Sequence, residues 1–430
     1  MNPRLLGLLR GAREAELRHD WDLAAWLYGI TVQLEPANHR LTTNLGNVLW
    51  LADKPQQAES VVRRAVQLAP AEALPYRGLG NVLRDLNDFE QASEAYGQAL
   101  SCDGAPLTAW NLSQCLIGLE RYDAAYAVAE ARLSVAEMLP YRDPPYFEPD
   151  VPLQALVQQR NVRLWSEQGF GDTLQYVRWV CGLCQQPHQL TLEVEWQLLT
   201  LLQQGLAWLP YPPTVVAKPR SGEPEPLKDA LQGPLMSLPH HMGGAPLALR
   251  QGYLRSPLWP RAGSSPVQRI GLAWAAGRKL DDPFTAREYR KRSLPLAALE
   301  QLIEALLGLG AELVNLQIGP DRSESAGMAH CFVDSLAETA DFAATAALVL
   351  QLNLVICVDT ALAHLVGALG HPGWVLLPFS ADPRWLRQRS DCVWYPSLRL
   401  WRQQSRGDWR APIDALTAEL SDRLNRGSGW

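Results

Sequence analysis

Residues 357–378 read CVDTALAHLVGALGHPGWVLLP, and the way they fold decides the architecture of the C-terminal part of the chain. The apolar run Leu352–Val358 leads into them and has the length of a buried strand. Asp359 and Thr360 form a polar turn, Leu362–Leu369 follows a helical pattern, and Gly373–Leu377 is a second apolar run. Strand, turn, helix and strand in that order make a parallel-sheet unit, because parallel neighbours need a helix-sized crossover.

The same alternation extends in both directions. Further strands are predicted at Asn161–Trp165, Gln189–Val194, Thr214–Ala217, Arg269–Trp274 and Glu312–Gln317. Helices are predicted at Thr173–Gln185, Trp196–Trp208, Leu296–Leu309, Phe342–Gln351 and Pro412–Asn425. The stretch 255–268, RSPLWPRAGSSPVQ, is rich in Pro, Gly and Ser and marks a boundary. Two halves that each open with a strand, a loop and a helix imply two Rossmann-like domains with a cleft between them. Ligands of such sheets bind outside the carboxyl ends of the strands.

The segment 1–135 follows a different rule. Pro36 recurs as Pro70, Gly46 as Gly80, Asn47 as Asn81, Ala58 as Ala92 and Ala65 as Ala99, always at the same offset. This period, with small residues at fixed places, resembles tetratricopeptide repeats. Each repeat is a helix–turn–helix that buries its apolar side only against a neighbour, so three or four units stack into one solenoid. Such a surface serves a peptide or protein partner, or it supports the next domain; the residues alone leave both open. The segment 136–160 contains MLPYRDPPYFEPDVP and is expected to be a linker.

Bulk properties exclude several classes. The net charge of −6 gives no support for a nucleic-acid binder working through bulk charge. The segment Met1–Leu17 carries charges throughout, unlike a signal peptide, and polar residues interrupt the longest apolar segments, so no transmembrane helix is expected. Seven cysteines, an odd number, suit a reducing compartment. The lone Cys181-x-x-Cys184 pair reads as core packing, and His240 and His241 alone do not make a metal site. No cofactor or metal is expected. GFGDTL lacks the GxGxxG spacing of a dinucleotide fingerprint, and neither Asp281-Asp282 nor Glu193-Val-Glu195 is a plausible acidic metal motif.

EQGFGDTLQYVR (167–178), GLAWAAGRKLDD with the following RKRSLPL, DTALAHLVGALGHP, and DPRWLRQRSDCVWYPS together resemble the heptosyltransferase-type glycosyltransferases, glycosyltransferase family 9, in the branch with N-terminal tetratricopeptide repeats. The resemblance implies an α-solenoid over 1–135, the 136–160 linker, and an α/β GT-B fold of two Rossmann-like domains, 161–262 on the acceptor side and 263–430 on the donor side. It also implies inverting, metal-independent transfer of a sugar from a nucleotide-sugar donor to a hydroxyl of a protein, saccharide or glycolipid acceptor, in the cytoplasm or at the periphery of the inner membrane.

Such transfer needs a base beside the acceptor and positive potential on the leaving diphosphate. Asp172 stands at the family's base position, with Gly169 and Gly171 allowing close backbone approach and Glu167 in reserve. Asp172 is equally suited to cap a helix starting at Thr173. The amides of Thr360 and Ala361, at a helix N-terminus, would hold the diphosphate. His364 would donate to a phosphate or ribose oxygen, and Asp359 would accept from sugar or ribose hydroxyls. An Asp–His pair that merely holds the turn explains Asp359 and His364 as well. Ala361 replaces the glycine frequent in the family. The loop Ala275–Leu294 is expected to be irregular and carries Arg278, Lys279, Arg287, Arg290, Lys291 and Arg292. Of these, Arg292-Ser293 matches the family's motif. Trp385, Trp394 and Tyr395 would flank the nucleotide base or pack in a core. The rival from another class is a scaffold whose transferase half has lost activity.

Overall fold

The computed structural model describes residues 3–135, 153–159, 161–219, 230–246, 252–260 and 268–426. They form an α-solenoid followed by two Rossmann-like α/β domains, the GT-B class of architecture. Two compact units contain them.

The first unit comprises the described residues up to 135 together with Leu280–Arg287 and Asp382–Arg387. Its helices are α1 (Pro3–Leu17), α2 (Trp21–Leu34), α3 (His39–Leu51), α4 (Pro55–Leu68), α5 (Ala73–Asp85), α6 (Phe89–Asp103), α7 (Pro106–Gly118) and α8 (Tyr122–Ala129). They pair as successive helical hairpins. The repeat period has a steric cause. A Cβ on Gly46 would lie 2.2 Å from Val62 Cγ1, and one on Gly80 would lie 2.6 Å from the Tyr96 ring, so only glycine lets the paired helices close. The turns repeat as well: His19, Asp53, Asn87 and Glu120 are all left-handed, with φ of 57°, 57°, 63° and 58°. These are the residues that reverse the chain within each hairpin.

Leu280–Arg287 and Asp382–Arg387 are seated on the turns of this unit. The Arg287 side chain is 4% exposed and donates to Asp53 Oδ1 at 2.9 Å and to Asp85 Oδ2. Its guanidinium lies 4.9 Å from the centroid of the Trp50 ring, whose indole N–H donates to Asp85 at 2.8 Å. Arg387 donates to both Glu90 carboxylate oxygens, at 3.0 and 3.1 Å.

The second unit comprises the described residues of 137–279, 288–381 and 388–430. Its first sheet holds β1 (Asn161–Trp165), β2 (Gln189–Val194), β3 (Thr214–Ala217) and β4 (Ala230–Pro234), all parallel, in the order β3-β2-β1-β4. Helices α9 (Leu153–Gln159), α10 (Phe170–Leu183), α11 (Trp196–Gly205) and α12 (Leu238–Met242) accompany it.

The second sheet holds β5 (Arg269–Ala273), β6 (Glu312–Asn315), β7 (Phe332–Ser335), β8 (Leu354–Val358), β9 (Gly373–Leu377) and β10 (Leu398–Arg402). All pairings are parallel and the order is β10-β9-β8-β5-β6-β7, the doubly wound order of a dinucleotide-type domain. Helix α13 (Pro283–Arg292) begins in the first unit's Leu280–Arg287 segment and ends in this unit, whose other helices here are α14 (Leu296–Gly308), α15 (Phe342–Val349), α16 (Ala361–Leu369) and α17 (Arg410–Arg426). Every residue of β8 is buried, which explains its uninterrupted apolar run. Strand order reverses between β5 and β8 in this sheet and beside β1 in the first.

The structure corrects two expectations. Ala275–Leu294 is not irregular, because α13 occupies half of it. Pro283 starts that helix and the Asp282 carboxylate accepts from the Thr285 N–H at 2.8 Å, a capping contact. The segment is too polar to show an apolar stripe. Within the expected linker 136–160, residues 153–159 are helical, and those from 136 to 152 lie outside the described residues. Strands β4, β7 and β10 add to those that the sequence pattern predicts. They are short and lie at sheet edges, where burial imposes little pattern.

Candidate functional site

Two turns meet in the second unit. The first follows β1 at the carboxyl edge of its sheet and carries Glu167, Gly169, Gly171 and Asp172. The second follows β8, beside the strand-order reversal, and carries Asp359, Thr360 and Ala361. Helices α10 and α16 pack on each other. Gly171 lies against the His364 ring so closely that a Cβ there would stand 2.7 Å from Cδ2 and 3.3 Å from Nε2. Phe170 and Phe342 add an edge-on ring contact at 5.2 Å.

Asp172 is not the N-cap of a helix at Thr173. The helix begins at Phe170, which places Asp172 in the first turn, where its Oδ2 accepts from the Gly169 N–H at 3.1 Å. The carboxylate thus holds the turn and faces the helix's positive end. Glu167 lies half-buried between β1 and this turn.

In the second turn Thr360 is the N-cap of α16, and its side chain makes no capping hydrogen bond. The Asp359 side chain is buried, and Arg292 Nη1 stands 3.9 Å from its Oδ2. Arg402, at the end of β10, is a further cation of this corner. Burial lowers its guanidinium to about 10, and the charge of Asp359 works against that shift. The sequence reading misses Arg402. Its signal is faint: an arginine closing an alternating edge strand.

Other expected residues have other roles. The buried Ser293 hydroxyl accepts from the Ala276 N–H at 3.1 Å, and Gln317 Oε1 accepts from the Trp274 and Ala275 N–H groups at 3.0 and 2.9 Å. Ser293 therefore fixes the loop after β5. The basic residues of 275–294 do not converge. Arg287 belongs to the first unit, Arg278 pairs with Asp321 at 3.6 Å, Lys291 pairs with Glu288 at 2.7 Å, and Arg290 is exposed. Trp385, Trp394 and Tyr395 are 1%, 2% and 1% exposed, so none offers a stacking face for a base. Trp385 sits in the first unit. Trp394 and Tyr395 wall the buried Arg178, which lies 5.3 and 4.8 Å from their ring centroids.

His364 is 4% exposed, and its Nδ1 is 2.9 Å from the Tyr395 hydroxyl. A separate cleft of about 420 Å³ opens at the other end of α16, lined by Tyr253, Arg255, Trp259, Gly367, Gly370 and Ser397 among others. Cys181 and Cys184 are buried, and burial pushes both thiols up to about 12. Among the described residues no three His, Cys, Asp or Glu side chains cluster as a metal would require, and no helix is long and apolar enough to cross a membrane.

Comparison with known proteins adds the following. The tetratricopeptide repeat matches residues 77–105. No curated protein is significantly similar in sequence. Among solved structures, a point mutant of the O-GlcNAc transferase of Thermobaculum terrenum is 15% identical, covering 99% of this chain and 94% of its own, with a TM-score of 0.35. The ADP-heptose LPS heptosyltransferase II of E. coli is 13% identical, covering 62% of this chain and 99% of its own, with a TM-score of 0.42. The MamA protein is 18% identical over 32% of this chain and 76% of its own, with a TM-score of 0.30.

Proposed function

We propose that this chain is an inverting, metal-independent glycosyltransferase of the heptosyltransferase type, using a nucleotide-sugar donor. The observation that supports the proposal is the packing of Gly171, next to Asp172 in sequence, on the His364 ring in the first turn of α16. A carboxylate and an anion site at one place are what an inverting displacement needs.

In this reading Asp172 takes the proton from the acceptor hydroxyl. That oxygen attacks the anomeric carbon from the face opposite the diphosphate, and the bond from that carbon to the diphosphate oxygen breaks. The departing charge is met by the first amides of α16, by Arg292 and by Arg402. Asp359 pairs with Arg292, attracts Arg402, and accepts from a sugar or ribose hydroxyl. Glu167 is the alternative base. The acceptor is a protein, a saccharide or a glycolipid, and the solenoid takes a protein partner. The chain works in the cytoplasm or at the periphery of the inner membrane.

A second reading, a scaffold without catalysis, is favoured by one feature. Asp172 already serves the Gly169 N–H in a helix-capping contact.

The test is nucleotide release from UDP-, GDP-, ADP- and dTDP-sugars with EDTA present, comparing wild type with Asp172→Asn. The asparagine keeps a hydrogen-bond acceptor for Gly169 and removes the base. Loss of a general base should lower turnover by about 10²–10⁴-fold. Equal release by both proteins would remove Asp172 from the mechanism, and no binding of any donor would leave the scaffold.

A further inference from the structure

We infer that the cleft at the far end of α16 is a second small-molecule site, and that it takes a saccharide carrying an anionic group, phosphate or carboxylate. Its volume of about 420 Å³ lies within the range of about 300–1,000 Å³ usual for such sites. A further hollow of about 340 Å³ shares Arg255, Ser256 and Trp259 with it.

The walls are fixed. The segment after Gly252 is stitched to helices of both sheets. The Leu254 N–H donates to the Ala368 carbonyl near the end of α16 at 3.0 Å, and the Arg255 N–H donates to the Gly205 carbonyl at the end of α11 at 2.9 Å. Only glycine fits at 252, because a Cβ there would lie 2.2 Å from the Leu369 carbonyl carbon. The Trp259 indole N–H donates to Gln204 Oε1 at 2.8 Å, which locks that ring in the wall.

Arg255 supplies the positive group. Its Nε donates to the Gly252 carbonyl at 2.6 Å, and its guanidinium lies 4.5 Å from the centroid of the Trp208 ring. Among the described residues its Nη groups make no hydrogen bond and no carboxylate pairs with it. A guanidinium oriented by a ring and a carbonyl, with its outer nitrogens unspent, matches an oxyanion. The Ser256 hydroxyl accepts from the Leu258 N–H at 3.2 Å and keeps its own proton to donate.

Another part of the lining has the reverse character. Leu350 closes α15 and Leu369 closes α16, and both residues line the cleft. The last carbonyls of a helix lack partners within it and carry partial negative charge, so they accept from hydroxyls and disfavour a bare anion. The two characters together select a ligand with an anionic group at one end and hydroxyls along the rest. This inference goes beyond the transferase reading and does not depend on it. Helix α16 has nine residues. Its length of about 13 Å separates the cleft from the Thr360 end, so a ligand here is not the donor diphosphate.

The experiment is calorimetric titration of the full chain with glucose 1-phosphate and with glucuronate, against glucose and inorganic phosphate alone. Saturable binding of an anionic saccharide is expected, and the tighter of the two identifies the anionic group. Arg255→Gln should weaken that binding by about tenfold or more, the effect of losing a hydrogen bond to a charged group. Arg292→Gln, at the other end of α16, should leave it unchanged. Arg255→Lys keeps the charge and loses the fork, so its affinity should fall between. It decides the matter if the glutamine variant does not fold, and wild-type affinity in it would then overturn the inference. So would the lack of saturable binding by either saccharide, equally tight binding of inorganic phosphate alone, or a loss of affinity in Arg292→Gln rather than Arg255→Gln. Failure of every nucleotide-sugar to bind would sink the transferase reading and leave this result standing.

Discussion

Gly171→Ala tests the meeting of the two turns on which the candidate site depends. The added Cβ would lie 2.7 Å from His364 Cδ2 and 3.3 Å from Nε2, against an ordinary contact of about 3.4–4 Å. The ring is tethered through Nδ1 to Tyr395, which is itself buried, so it cannot swing aside freely. Either α10 or α16 must shift by several tenths of an ångström. Overpacking of this kind costs about 1–3 kcal/mol. Replacing glycine by alanine in a helix returns about 1 kcal/mol, leaving a net loss of roughly 0–2 kcal/mol. Gly182 is the control in the same helix. Its Cβ would meet only the flexible tip of Met242, at 3.3 Å, on an exposed face. Denaturant unfolding of the two variants side by side should show Gly171→Ala less stable than Gly182→Ala by about 2 kcal/mol. Donor turnover should fall in the first variant only. Equal stability of the two would refute the packing of α10 on α16 and remove the geometric basis of the site.

Two further outcomes follow from buried charges. Burial lowers His371 to about 4. The unfolded chain binds a proton there below about pH 6.5 and the folded chain only near pH 4, so stability is full above 6.5 and falls as pH drops through that window, by an amount on the order of 3 kcal/mol. His371→Leu should flatten that part of the stability–pH curve measured by chemical denaturation, and an unchanged slope would rule out His371 as its source. In the first unit, Arg287→Ala leaves Asp85 buried without its cation and should destabilise by about 3–5 kcal/mol. Arg287→Met combined with Asp85→Asn should recover most of the loss in thermal melts, and a double variant as unstable as the single one would mean the pair contributes through packing alone.

Much of the fold is legible in the sequence because it is local and periodic. A glycine recurring once per repeat, as Gly46 and Gly80 do, marks helices in close contact. A short uninterrupted apolar run such as Leu352–Val358 marks a strand buried on both faces. The order of the Asp359 turn, the helix and the next strand belongs to the same local signal. The elements that the sequence hides share a cause. Helix α13 is held by a cap and a proline start, with too little apolar surface to leave a stripe, and the edge strands β7 and β10 are only partly covered.

The tandem helices, the parallel sheets and the positions of two glycine- or aspartate-bearing turns were therefore determined by the sequence itself, since each depends on near neighbours along the chain. Only the tertiary structure decided which cations serve which turn. It sent Arg287 to the first unit, kept Arg292 near Asp359, and brought Arg402 to the same corner. It also set the Tyr253 hydroxyl on the Leu174 carbonyl and the Tyr395 hydroxyl beside His364 Nδ1. These partners are far apart in sequence, as Arg287 is from Asp85 and Tyr253 from Leu174. No periodicity records such pairings, because they arise from the packing of whole elements and are selected by the cost of leaving a buried polar group unpaired.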